Sequence, residues 1–241
     1  AGSQYEYRVT FASIQDPTII SDYSYVHDEE DLVLSYNMSL MGVEDQQGAF
    51  QAFENKRQVS LNGIDETLRL IQVNNDRGVD LTPLLYQDDG IDRIIINDTV
   101  RVLYDLRVGE TLVLARRVNT ATGENYSQEV RFVIAGINES FSGLTSYVTR
   151  QHLTQYLGFS EQAYNTVYTN LEQYDATDPK ISNVFRMEDL KQNIRMAIEM
   201  ANISLYIIIA FAGLMALIII SVVSNIVVDE NRKHISLMKV M

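Results

Sequence analysis

Between Ala201 and Val228 the sequence carries no charged residue, and nothing else in its 241 residues restricts the fold as tightly. At ~1.5 Å per residue such a run makes roughly 42 Å of helix, longer than the ~30 Å hydrocarbon core of a bilayer. A buried core helix of that length would need the rest of the chain to wrap it on all sides. A membrane-spanning helix satisfies its own backbone groups and needs no wrapping. The helical period begins upstream of the run. Leu190, Ile194, Ala197, Ile198 and Ala201 fall on one stripe, with Lys191, Arg195 and Glu199 off it. Glu188 and Asp189 suit a first turn, where the helix dipole favours acids. No Gly or Pro interrupts before Gly213. One continuous helix from about Met187 to about Val228 is therefore predicted, a rod of roughly 60 Å.

The two sides of the span differ in charge. Residues 1–200 hold 30 acids and 16 bases, a net of −14. A domain that acidic has too few Lys and Arg to meet a nucleic-acid backbone, and it would not adhere to an anionic lipid surface. Beyond the run, Arg232, Lys233 and Lys239 face Asp229 and Glu230, which places the C-terminus in the cytoplasm and residues 1–200 outside. There is no cysteine, which excludes disulfides and thiolate chemistry. The chain opens on Ala1-Gly2-Ser3 without Met and reads as a fragment or a processed chain.

Residues 1–186 alternate between strand and short-helix signals, predicting an α+β domain with a mixed sheet. Tyr7, Val9 and Phe11 alternate with polar residues, as do Leu32, Leu34, Tyr36 and Met38. Leu68–Val73 is a third candidate strand. Ile94-Ile95-Ile96 reads as a buried strand, and Asn97 can cap the helix that Val100, Leu103 and Tyr104 imply. A turn at Gly109 leads into the next strand. Thr120–Asn125 reads as a hairpin turn, with Gln128–Ile137 returning. Thr149 caps and Gly158 stops a helix ending at Leu157, and Tyr164–Leu171 is a late strand.

Signals for bond chemistry are weak. No Gly-Lys pair exists, so phosphates find no P-loop. His27, His152 and His234 are far apart and form no HExxH zinc pattern. No G-x-S-x-G elbow occurs. The acidic groups at residues 27–31, 74–80 and 88–92 do not match the calcium-loop pattern and read as solvated loop faces. No catalytic residue, metal ligand or cofactor is assigned. Sequons at Asn37 and Asn125 matter only in a eukaryotic secretory path. In the span, Ala212 and Ala216 share one face, and Ala210 and Gly213 another. With Ser221, Ser224 and Asn225 near the inner end, they suit close packing against other helices in lipid.

Two stretches carry a resemblance. "IIINDTVRVLYDLRVGETLVL" resembles the extracytoplasmic core of FtsX/MacB-type ABC transporter permeases, in which a strand, a short helix, a Gly-Asp turn and a second strand follow one another. Here Glu110 replaces the usual Asp. "RFVIAGINESFSGLTSYVTRQHL" is similar to the strand and short helix that come next. "NIVVDENRKHISLMKVM" is similar to the family's signature after its second span: Glu230, Lys233, Ile235, Met238, Lys239 and Met241 fit by type, while Asn231 and His234 depart from it.

The resemblance covers residues 60–241 and implies a division of labour. Residues 1–186 form the extracytoplasmic domain, 187–200 a helical stalk, 201–228 the span and 229–241 the start of a cytoplasmic coupling segment. It implies a bacterial plasma membrane and a permease without enzymatic activity of its own. ATP is hydrolysed by a separate cytoplasmic ABC ATPase, touched by Arg232, Lys233, Ile235, Leu237, Met238 and Lys239. Ala212, Gly213, Ala216, Ser221 and Asn225 would pack against further spans. A second permease copy or homologue, membrane lipid, and an extracytoplasmic peptide, antibiotic, lipoprotein or cell-wall hydrolase are the implied partners. Two other readings stay open: a single-pass anchored receptor or adhesion module, and a membrane-tethered hydrolase using His27 and His152.

Overall fold

The computed structural model describes residues 4–17, 29–120, 123–139 and 143–238. Its strands are β1 (Tyr7–Gln15), β2 (Glu30–Glu44), β3 (Phe50–Ala52), β4 (Gln58–Ile64), β5 (Arg93–Asn97), β6 (Thr111–Thr120), β7 (Gly123–Asn138), β8 (Thr145–Thr149), β9 (Tyr164–Thr169) and β10 (Ile181–Arg186). Its helices are α1 (Asp98–Tyr104), α2 (Arg150–Leu157) and α3 (Met187–Met238). The chain divides into two compact units, Ala1–Met187 and Glu188–Met241. The α+β class with a long apolar C-terminal helix is as the sequence predicts.

In the first unit, hydrogen-bonded neighbours run β10-β1-β9-β2-β4-β8-β5-β7-β6, and β6 pairs again with β2. The strands from β2 round to β6 thus close into a barrel, and β9, β1 and β10 extend from β2 as a sheet. β2 serves both because it is long. Residues 30–33 pair with β9, 34–39 with β4, and 39–44 with β6. The sheet is mixed: β4–β8 and β5–β7 are parallel.

The isoleucine run shows how the layers form. Side chains alternate across a strand. Ile94 and Ile96 enter the barrel interior with Leu34, Met38, Leu61, Leu112, Leu114 and Ile134. Ile95 points the other way and packs with Leu81, Leu85 and Tyr147. The covering layer is a 3-10 turn, Thr82–Tyr86, and the segment before it. It lies so close to β7 that a Cβ on Gly136 would come within 3.3 Å of Leu81. A third cluster, Val9, Phe11, Leu32, Tyr164 and Val167, holds the extending sheet.

Both predicted caps are present. Asn97 accepts from the Val100 N–H at 2.9 Å, and Thr149 from the His152 N–H at 3.4 Å. Gly158 ends α2 at φ 78°. At the predicted turn, Gly109 (φ 92°) donates its N–H to Ile134, and Glu110 accepts from the Arg107 N–H at 2.8 Å. The carboxylate at 110 thus holds the turn, a role Glu can fill as Asp would.

Two expectations fail together. Leu68–Val73 is irregular, not a strand. Its N–H groups find a carboxylate instead of a partner strand: Arg69, Leu70 and Ile71 donate to Asp31 at 3.1, 2.7 and 2.8 Å. The acidic run is correspondingly not a solvated face throughout. Glu30 and Asp31 begin β2 and are each 5% exposed. Glu30 accepts from the Gln173 amide and the Tyr174 hydroxyl. The other acidic groups are turn residues: Asn75 accepts from Arg77 and Val79, Asp80 from Thr82, and Asp89 pairs with Arg93.

The second unit is α3. It continues past the predicted end at Val228 to Met238, where no Gly or Pro breaks it. Glu188 and Asp189 occupy its first turn.

Replacing Asp31 with Ala strips a buried acceptor from three backbone donors, each left unpaired. We expect a loss of at least about 2 kcal/mol, and a smaller loss for Asp31→Asn, which keeps one acceptor oxygen. Urea unfolding of the detergent-solubilised protein, followed by tyrosine fluorescence, checks both the size and the order.

Candidate functional site

One end of the barrel is built by the hairpin of β2 and β3 and by the connection from α1 to β6. Glu44 pairs with Thr111 there, and a Cβ on Gly109 would sit 2.8 Å from the Gln46 amide. Between residues 51–57 and the end of α1 lies a cleft of ≈ 450 Å³. Phe53 and Tyr104 stack at 4.4 Å in its lining, and the Tyr104 hydroxyl donates to the Asn55 carbonyl at 2.9 Å. Val102 (64% exposed) and Leu103 (43%) line the other wall, and Phe50 (50%) adjoins the first. Glu54, Arg57 and Asp105 carry the charge. The lining offers apolar surface and hydrogen-bonding groups, which suits it to binding.

A second, smaller cavity of ≈ 240 Å³ lies beside Glu30, Asp31, Asp65, Arg69 and Arg150. Arg150 is the first residue of α2 and is 13% exposed. Its Nη2 meets Asp65 at 2.6 Å, while Nε and Nη1 are buried without a hydrogen-bond partner among the described residues. Tyr86 stands in the same electrostatic neighbourhood and donates to the Ile64 carbonyl at 2.5 Å. Burial pushes its phenol well above the ordinary range, aided by Asp65 and Glu66 and opposed by Arg150. Tyr174 is raised likewise, by burial first and then by Glu30. With Glu30 and Asp31 already accepting hydrogen bonds from neighbouring residues, these charges bind the covering segment to the barrel.

The residues singled out by sequence lie elsewhere. Ala212, Gly213, Ala216, Ser221 and Asn225 are all exposed on α3, and a Cβ at Gly213 would meet nothing within 4 Å. Arg232, Lys233, Ile235, Leu237 and Met238 belong to the last turns of α3, their side chains outside the described residues, as is Lys239 altogether. His152 Nδ1 lies 3.1 Å from Asp92 Oδ1, and His27 is outside the described residues. Among the described residues no three His, Asp or Glu side chains are grouped to hold a metal ion. The cleft went unread in the sequence because its walls, 51–57 and 102–105, are apart in the chain. The one available hint was Val102, an apolar residue off the stripe of Val100, Leu103 and Tyr104.

No protein-family model matches the sequence, and no curated protein matches it. Among solved structures, the periplasmic region of MacB from Actinobacillus actinomycetemcomitans is similar at a TM-score of 0.40 and 10% identity. The match covers 80% of this chain and 94% of that one.

The raised phenols predict alkaline sensitivity. In the folded protein Tyr86 and Tyr174 stay protonated above the ordinary phenol value of 10.0, whereas the unfolded chain releases those protons there. Their contribution is fully present below that value and is lost as pH rises beyond it. Urea midpoints at about pH 9 and about pH 11 should fall more for the parent protein than for Tyr86→Phe.

Proposed function

We propose that this chain is the extracytoplasmic domain, stalk and span of a permease subunit in an FtsX/MacB-type ABC transporter. Residues 1–200 stand outside a bacterial plasma membrane, 201–228 cross it, and 229–241 begin a cytoplasmic contact with a separate ATPase. The observation that carries the reading is α3. From Glu188 to Val228 every residue is exposed, and an 18-residue stretch within it has a mean hydropathy of 2.8. So large an apolar surface needs a nonaqueous neighbour. The strand, helix, turn and strand that the family resemblance requires are present as β5, α1, the Gly109 turn and β6.

In this reading the chain does mechanical work and no bond chemistry. β10 ends at Arg186 and α3 begins at Met187, with no linker residue between them. In this proposal a movement of the cytoplasmic turns is passed along α3 to the outer domain. Ile235, Leu237 and Met238 supply apolar contact to the ATPase, and Arg232, Lys233 and Lys239 flank them. Ala212, Gly213 and Ala216 let a neighbouring helix approach, and Ser221 and Asn225 bond to it. The outer domain handles a peptide, antibiotic or lipoprotein, or governs a cell-wall hydrolase.

The absence of cysteine makes topology directly measurable. A membrane-impermeant maleimide applied to intact cells should label Glu161→Cys and spare Lys233→Cys until the membrane is permeabilised. The reverse pattern, or equal labelling, would refute the orientation.

The coupling contact has its own test. Ile235→Asp with Leu237→Asp, in the full-length protein with its ATPase, should abolish stimulation of ATP hydrolysis while the outer domain keeps its unfolding midpoint. Full stimulation by the double variant would place the contact elsewhere.

A further inference from the structure

Beside the closed barrel the short strand β3 has an unpaired side, and Gln51 and Ala52 of that strand line the cleft. Among the described residues β3 hydrogen-bonds only to β2. The register pairs Gly42 with Ala52, Val43 with Gln51 and Glu44 with Phe50. Flanking bonds run from the Phe53 N–H to Met41 and from the Asp45 N–H to Ala49. In an antiparallel ladder the hydrogen-bonded pairs alternate. The bonded pair within β3 is therefore Val43 with Gln51. Phe50 and Ala52 direct their N–H and C=O groups away from β2, toward the open side. These two residues lie one strand repeat apart, the spacing at which an added strand presents its own groups.

All of β3 is exposed, and the residues that follow it wall the cleft together with Val102 and Leu103 of α1. A cleft of ≈ 450 Å³ falls in the range that accepts a small group of side chains. Two carboxylates, Glu54 and Asp105, stand against one guanidinium, Arg57, in its lining. The wider field is more one-sided, since residues 1–200 carry a net charge of −14. With one net negative charge in its lining, the cleft favours a cation over an anion.

We propose that the cleft is a docking site for an extended peptide segment of a partner or substrate, one alternating apolar with basic residues. The segment adds to β3 through the outward groups of Phe50 and Ala52. Its apolar side chains enter between Phe53 and Leu103, and its basic residues meet Glu54 and Asp105. The site needs neither the ATPase contact nor the span, so it stands or falls apart from the transporter reading.

The test uses the full chain in detergent and a fluorescein-labelled peptide, acetyl-Lys-Val-Lys-Val-Lys-amide, with the Glu-for-Lys peptide as control. Fluorescence anisotropy should show saturable binding of the basic peptide and at least tenfold weaker binding of the acidic one. Leu103→Asp should weaken binding at least tenfold by spoiling the apolar wall. Ala52→Pro should do the same by removing an outward N–H, and it touches no bond of β3 to β2. Both variants must keep the parent's unfolding midpoint. Val102→Asp, on the exposed wall, serves in place of either that does not. No saturable binding, equal binding of both peptides, or binding unchanged in folded variants overturns the proposal. So does a monomer–dimer equilibrium abolished by Leu103→Asp without peptide binding, which would assign the cleft to a second copy of this chain.

Discussion

Strand β2 is the member on which the first unit depends. It pairs with β9 at its start, with β4 in its middle and with β6 and β3 at its end. Barrel closure and the extending sheet are both consequences of those pairings, so a register slip in β2 would disturb the two together. Its first residues also anchor the covering layer, because Asp31 holds the amides of residues 69–71. A buried carboxylate surrounded by backbone donors replaces the strand pairing that segment lacks. Ile71, Val73, Leu81 and Leu85 can then close over Ile95 without a further strand.

Closure also explains where binding surface is left. A barrel removes its own edges. Among the described residues the outer side of β10, at the end of the strand order, the outer side of β3, and the outer sides of the β6–β7 hairpin beyond Ala115 and before Val133 remain open. Of these, β3 lies beside a cleft with exposed apolar walls. β10 presents Ser182, Asn183 and Arg186 to solvent, with Val184 and Phe185 partly covered. Arg8 stacks over the Phe185 ring at 4.9 Å and covers part of it. The first edge is thus apolar in its surroundings and the second polar.

Much of this was legible from local patterns. The caps at Asn97 and Thr149, the stop at Gly158 and the turn at Gly109 each need one residue type at one place, and each is as read. β3, β4, β8 and β10 were not read. β4 mixes Val59 and Leu61 with Asn62 and Gly63, and Gly63 is there because a Cβ would come within 3.0 Å of Arg150 Cα. β10 shows little alternation, having one packed sheet neighbour and a polar outer half. The acidic run misled because charge suggests solvent, and only a distant segment, 69–71, supplies the donors that let Asp31 be buried.

The sequence by itself determined the second unit and the class of the first. An uncharged run of that length, preceded by a helical stripe without Gly or Pro, permits little but a helix that needs an apolar surrounding. Such elements are set by neighbours along the chain. The tertiary structure alone decided the barrel closure, the burial of Glu30 and Asp31, and the cleft beside β3. Each joins residues tens of positions apart, and contacts over such distances depend on register and packing that no local period encodes.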